Sequence, residues 1–262
     1  MRTDDFIALT APLRAVGGGR VWSLMISLFG DLAQESGTVI HGPVLSAMMN
    51  LLEIKPEAAR VALHRLRNDG WIASEKSGRI SQHSLTEKGR RESAAASPRI
   101  YTPPGNAGDD WQLVILEITG PETLSDMTAL GFTNLIPRVY VGPATAPAPA
   151  SALSLRGSQP PQWLVAQVQP EIYASAYADL GQRLKDLAAL LQGKDRLSPL
   201  QIAVLRGLIV HNWRRLVLRH PPLPTALITP DGPAQICHVQ VADMLTRFAR
   251  PRLCDIDTQT TP

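Results

Sequence analysis

The chain has 262 residues, 44% of them apolar, 22 prolines and a formal net charge of only +3. That length admits one to three domains, each with enough apolar residues for a core, and the overall charge points to no partner by itself. Two cysteines, Cys237 and Cys254, form no CxxC, which argues against a disulfide framework or a zinc site.

The distribution of charge says more. Residues 50–100 hold ten Lys/Arg against six Asp/Glu, and residues 101–262 hold thirteen of each, so the excess positive charge lies in the first hundred residues. A local basic excess is the electrostatic footprint of a phosphate-backbone binder, with ordinary surface charge as the alternative. No run approaches the roughly 18 apolar residues of a membrane span. The N-terminus, acidic and without a continuous apolar core, does not read as a signal peptide. The expected setting is cytoplasmic and reducing, with no membrane partner.

Residues 1–19 are expected as a flexible arm ending in Gly17-Gly18-Gly19, a linker rather than a phosphate-cradling loop. Val21, Leu24, Met25, Leu28, Phe29 and Leu32 then repeat at the spacing of an amphipathic helix. Thr38–His41 reads as a short strand. Pro43 opens a second helix, with Val44, Leu45, Met48 and Leu51 or Leu52 on its buried side. After a turn at Glu53–Pro56, a third helix runs to about Asp69 and closes on Gly70. Its core stripe is Ala59, Ala62, Leu63 and Leu66.

The opposite side of that third helix shows Glu57, Arg60, Val61, His64, Arg65 and Arg67. A helix, a short turn and a second helix with an arginine-bearing outer face is the geometry that enters a major groove. Arginines there can fork onto guanine edges or hold phosphates. Trp71–Ser74 and Ile80–Leu85 read as strands of a basic hairpin with Lys76 and Arg79 at its tip, a wing. Thr86 N-caps the next helix, which carries Lys88, Arg90 and Arg91. The candidate DNA-contacting residues are Lys55, Glu57, Arg60, Val61, His64, Arg65, Lys76 and Arg79, on double-stranded DNA. The alternative is a winged helix used for protein contacts.

Further along, Trp111–Ile118, Leu135–Val141 and Trp163–Val168 read as strands and Pro121–Gly131 as a short helix. Residues 143–150, an Ala/Pro run, read as a solvated loop. Tyr173–Leu191 reads as a long helix with Tyr177, Leu180, Leu184, Leu187 and Leu191 on one side. A last helical region starts at Leu200–Arg219, ends at His220–Pro224, and resumes over Ala234–Ala249, with a frayed tail after Pro251. Within it His211, Trp213, Arg214 and Arg215 form a candidate effector site, since arginines beside an aromatic can hold nucleotide phosphates and stack on an adenine. The alternative is an interdomain salt bridge beside a packed Trp.

The strings RVWSLMISLFGDLAQESG, KPEAARVALHRLRNDGWIASEKSGR and SLTEKGRR resemble the N-terminal half of PaaX-type repressors. LIVHNWRRLVLRHPPLPTALITPDGPAQICHVQVADMLTRFA resembles that family's last segment, although Gly232 stands where the family usually has an aromatic. The resemblance implies an α+β chain: a winged helix-turn-helix (20–100), a central ferredoxin-like α/β domain (101–193) and a C-terminal helical domain (194–262). It also implies a homodimeric repressor of an aromatic-acid operon, typically for phenylacetate, released by phenylacetyl-CoA or a related acyl-CoA. No enzyme cofactor is implied. No GxSxG, HExxH, P-loop or nucleophile–base pair occurs, so no catalytic or metal-binding residue is assigned. The competing classes are a nucleic-acid or small-molecule hydrolase with an accessory winged helix, and an architectural module with no effector.

Overall fold

The computed structural model describes residues 1–16, 20–105, 110–168, 171–193, 197–219, 223, 227–229 and 231–256. The fold class is α+β, with helices and two separate antiparallel sheets. Contacts divide the chain into two compact units. One comprises Met1–Tyr101, Gln182–Arg215 and Asp243–Pro262; the other comprises Thr102–Gly181 and Leu216–Ala242. No helix among the described residues is long and apolar enough to cross a membrane.

The first unit begins with α1 (Thr3–Val16), α2 (Val21–Leu32), β1 (Ile40–His41), α3 (Gly42–Leu51) and α4 (Pro56–Asn68). It continues with β2 (Ile72–Ser77), β3 (Ile80–Leu85) and α5 (Glu87–Tyr101). Its sheet has the order β1-β3-β2. The expected loosely ordered arm is instead α1: Phe6, Thr10 and Leu13 are fully buried. Asn212 Nδ2 donates to the Leu13 carbonyl at 2.9 Å and Gln201 Nε2 to that of Met1 at 2.9 Å. The glycine triplet that follows lies outside the described residues.

Helix α2 is buried on more than the single stripe its spacing suggested. Ser23, Ser27 and Asp31 are buried along with Leu24, Met25, Leu28, Phe29 and Leu32. A helix buried on more than one side needs partners on more than one side, and the second partner comes from far along the chain. In α9 (Pro199–Val217) every residue from Leu200 to Trp213 except Ile202 is buried. The two helices approach so closely that a Cβ at Gly207 would overlap Leu28 Cδ2. Gln182–Arg215 accordingly clusters with the N-terminal segment in the first unit.

The second unit holds β4 (Trp111–Ile115), α6 (Thr123–Ala129), β5 (Thr133–Ile136), β6 (Val139–Pro143), β7 (Leu153–Gly157) and α7 (Gln162–Val168). Its antiparallel sheet has the order β5-β6-β4-β7. One face packs Trp111 and Val141 against Leu164, Val168 and Leu227; the other packs Val114 and Tyr140 against Met127 and Phe132. Three expectations are corrected here. The strand over 135–141 is a hairpin, because Pro137 lacks an N–H and Arg138 turns the chain at φ 71. The strand over Trp163–Val168 is the helix α7. The Ala/Pro run is not simply solvated: Gln112 Nε2 donates to the carbonyls of Pro143 and Ala146 at 2.9 and 2.7 Å, and Ala146 and Ala148 pack on the core.

Helix α8 (Glu171–Leu190) and α10 (Pro233–Arg247) complete the elements, and the division between the units falls within α8, α9 and α10. Tyr177, Leu180, Leu184, Leu187 and Leu191 are buried as their spacing indicated. A short 3-10 turn at Leu253–Asp255 and the buried Ile256 replace the frayed tail up to that point. At Gly232, Thr229 crowds the space a Cβ would need, its carbonyl oxygen lying 3.0 Å away.

Candidate nucleic-acid interface

Local sequence builds the interface on α3, α4 and the β2–β3 hairpin. Leu52 caps α3 and the chain reverses at Glu53, a non-glycine residue at φ 55. Such a conformation costs about 1–2 kcal/mol and needs support. Arg14 supplies some, its Nη2 lying 2.7 Å from Glu53 Oε2. Lys55 is extended, as residues before proline prefer to be, and Pro56 opens α4, where its missing N–H costs no hydrogen bond. At the far end Gly70 takes φ 71, and the Trp71 amide donates back to the Leu66 carbonyl at 2.8 Å. That is the hydrogen-bond pattern of a glycine C-cap.

Helix α4 is two-sided. Ala62 and Leu66 are buried and Ala59 and Leu63 half-buried, whereas Glu57, Arg60, Val61, His64, Arg65 and Arg67 are exposed. Val61 is 70% exposed, an apolar side chain standing among cations. Arg60 lies 3.5 Å from Glu57, and Asn68 Nδ2 lies 3.3 Å from His64 Nδ1. Arg65 lies over the Trp22 ring, 4.3 Å from its centroid, with its Nε 3.4 Å from Asp69 Oδ2. The chain reading missed Trp22. Its one signal was an aromatic lying off the apolar stripe of α2.

The hairpin is longer than expected, with Ser77 pairing Ile80 across a turn at Gly78 (φ 62). Lys76, Gly78 and Arg79 are all exposed at this tip. At its base, Ser74 Oγ lies 2.8 Å from His83 Nδ1. Burial, and then the Arg67 charge, hold His83 below the ordinary histidine value of 6.5. Thr86 caps α5 by accepting from the Gly89 amide at 3.0 Å, and its hydroxyl donates to the Gly70 carbonyl at 2.6 Å. A Cβ at Gly89 would overlap the Trp71 carbonyl, so α5 can seat only with glycine there. Lys88 and Arg90 are engaged structurally, donating to the carbonyls of Asp69 and Leu85.

His211, Trp213, Arg214 and Arg215 do lie together on α9, but they do not form the expected stacking face. Trp213 is 2% exposed and its Nε1 donates to the Ile100 carbonyl at 3.1 Å. His211 Nδ1 lies 3.3 Å from Ser27 Oγ in the interior. Arg214 Nη2 donates to Ser23 Oγ and to the Ser23 carbonyl at 3.0 and 3.2 Å, and Arg215 Nη1 to the Val16 carbonyl at 3.3 Å. In this arrangement the indole is buried, and these arginines hold α9 against the chain around α2.

Two family models match the chain: one described as PaaX-like protein over residues 20–89, the other as PaaX-like protein C-terminal domain over residues 170–249. The curated protein Transcriptional repressor PaaX of Escherichia coli strain K12 is 28% identical over 257 residues, covering 87% of this chain and 79% of that protein. Among solved structures, uncharacterized protein Rv0674 from Mycobacterium tuberculosis matches with a TM-score of 0.51 at 18% identity, over 86% of this chain and 96% of that one. At that identity the likeness concerns the fold alone.

Proposed function

The chain belongs to the PaaX-like family, and on that premise we propose that it is a DNA-binding transcriptional repressor whose reader is a winged helix-turn-helix over residues 20–100. In this reading α3 and α4 are the helix-turn-helix, α4 is the recognition helix, and the β2–β3 hairpin is the wing. The observation that carries it is the two-sidedness of α4: Ala62 and Leu66 anchor one side while Arg60, Val61, His64 and Arg65 stand exposed on the other. Lys55 and Glu57 flank that row at the helix start. In this reading the exposed Lys76 and Arg79 neutralise phosphates, contacts that position a protein without reading sequence.

We read the second unit as a ferredoxin-like domain, on the strength of its sheet order, with a loop in place of a second crossover helix between β6 and β7. The repressor is a homodimer on a pseudo-palindromic operator, one α4 in each half-site. The operon it controls serves aromatic-acid catabolism of the phenylacetate type, and an aryl-CoA thioester such as phenylacetyl-CoA releases the DNA. The inducer acts by favouring the state that cannot span both half-sites, since equal affinity for both states shifts nothing.

The test is a titration of the operator complex with phenylacetyl-CoA, phenylacetate and coenzyme A. Release by the thioester alone is the expected result. Release by the free acid, or by none of the three, removes this inducer. The absence of salt-dependent, sequence-specific binding removes the repressor reading.

A further inference from the structure

The guanidinium of Arg65 differs from those of its neighbours on α4. Arg60 has one exposed contact, with Glu57 one turn back. Arg65 is contacted from two directions, its side chain being about half exposed. Its guanidinium carbon lies 4.3 Å above the centre of the Trp22 ring, and its Nε lies 3.4 Å from Asp69 Oδ2. Trp22, at the start of α2, is half-buried, and Asp69 is the C-cap of α4. Both supports therefore belong to the first unit.

The chemistry left available is specific. One face of the guanidinium is covered by the indole and the Nε edge is engaged. The two terminal amino groups have no hydrogen-bond partner among the described residues. Guanine presents O6 and N7, two acceptors side by side, to a guanidinium fork in the major groove. With Nε engaged, the fork that remains is the pair of terminal amino groups. Asp69 also sorts the targets: its carboxylate repels a backbone phosphate, but a neutral base edge carries no such penalty. Fixing the side chain before binding removes rotamer loss from the cost of association.

We infer that Trp22 and Asp69 are positioning residues that preset Arg65 as an end-on reader of a guanine base, an inference resting on the DNA-reading role proposed above.

The experiment is enrichment of random-sequence duplexes by the full-length wild type and by Arg65→Ala, Trp22→Leu, Trp22→Phe and Asp69→Asn. Salt slope and Tm are measured on each. Wild type enriches a motif with one guanine per half-site preferred about 10- to 100-fold, the range of a bidentate pair. Arg65→Ala abolishes that preference. Trp22→Leu and Asp69→Asn reduce it to about threefold or less, a loss confined to that one position. Trp22→Phe, which keeps a ring beneath the guanidinium, retains it. Asp69→Asn is an exposed change, so the test stands even where Trp22→Leu fails to fold.

Three results overturn the inference. The first is full guanine preference in Arg65→Ala. The second is full preference in both Trp22→Leu and Asp69→Asn. The third is a uniform loss at every position in these two variants, which makes the two residues structural only. A wild type that enriches no motif overturns the DNA-reading role first, a failure recognisable because it precedes any variant.

Discussion

Arg206 on α9 grips Asp31 near the end of α2 at two points, Nε to Oδ2 and Nη2 to Oδ1, each at 2.9 Å, with Asp31 fully buried. The remaining Arg206 donor, Nη1, reaches the carbonyls of Leu245 and Phe248 at 2.8 and 2.7 Å. The Tyr101 hydroxyl donates to Asp31 Oδ1 at 2.9 Å, and burial followed by that neighbouring carboxylate pushes the phenol well up from its usual value. Residues 175 positions apart thus bind the N-terminal helices to the later ones within one unit.

Removing one side of this pair strands the other. Among the described residues, Arg206→Met leaves the buried Asp31 with only Arg250, 3.4 Å away and partly exposed, as a charged partner. We predict a loss of about 3–5 kcal/mol of stability, the range for breaking a buried ion pair by removing one partner. Asp31→Leu combined with Arg206→Met recovers much of it. Equilibrium denaturant unfolding of the single and double variants checks both statements.

At Val61 stability and function should separate. The side chain is 70% exposed, so Val61→Ser changes folding stability by no more than about 0.5 kcal/mol. If it meets a thymine methyl in the groove, operator affinity falls while affinity for unrelated duplexes stays the same. Binding isotherms on the enriched and a scrambled duplex read the difference.

The wing should contribute charge and not sequence. Arg79→Ala and Lys76→Ala each lower the slope of log affinity against log salt by about one unit on any duplex. An unchanged slope across a salt titration would remove the hairpin tip from the interface.

Arg214 serves as a tether. Burial, and next the charge of Arg215, lower its pKa from the ordinary arginine value. Arg214→Ala leaves the Ser23 carbonyl and hydroxyl without this donor and should cost about 1–3 kcal/mol. Ligand-driven release of DNA should survive in whatever fraction stays folded. Thermal unfolding alongside the inducer titration distinguishes the tether from a ligand contact.

Acid should weaken the base of the wing. The folded-state value of His83 lies below 6.5, so the unfolded chain binds the extra proton more readily. Its contribution is complete above 6.5 and is lost as the pH falls from there through the folded-state value. His83→Gln should flatten that part of the stability–pH curve, read from denaturant midpoints at a series of pH values.

What the sequence disclosed was local. The helix at Pro56–Asn68 follows from Pro56, Gly70 and the spacing of Ala62 and Leu66; the hairpin follows from two short strands about Gly78. What it hid depended on distant partners. Pro12 interrupts the pattern of α1, whose Phe6 and Leu13 acquire their burial from the fold around them. The apolar run at Trp163–Val168 fits strand or helix equally well. In the candidate site, Arg60 and Arg65 were legible as outward residues on a periodic helix. Trp22 was not, because nothing in its neighbourhood on the chain indicates that residue 65 lies over it. The aromatic and arginines at 213–215 suggested a ligand face because their partners, Ile100 on α5, Ser23 on α2 and Val16 at the end of α1, are so far away in sequence.

The most direct measurement is the affinity of wild type and of Arg60→Ala/Arg65→Ala for the enriched duplex and for a scrambled one, by fluorescence anisotropy at a fixed salt concentration. Each base-contacting arginine should contribute about 1–3 kcal/mol. The prediction is therefore that the double variant folds normally, keeps its affinity for the scrambled duplex to within the effect of two lost charges, and loses nearly all preference for the enriched one. A double variant that discriminates between the two duplexes as wild type does would contradict the assignment of α4 as the reading helix.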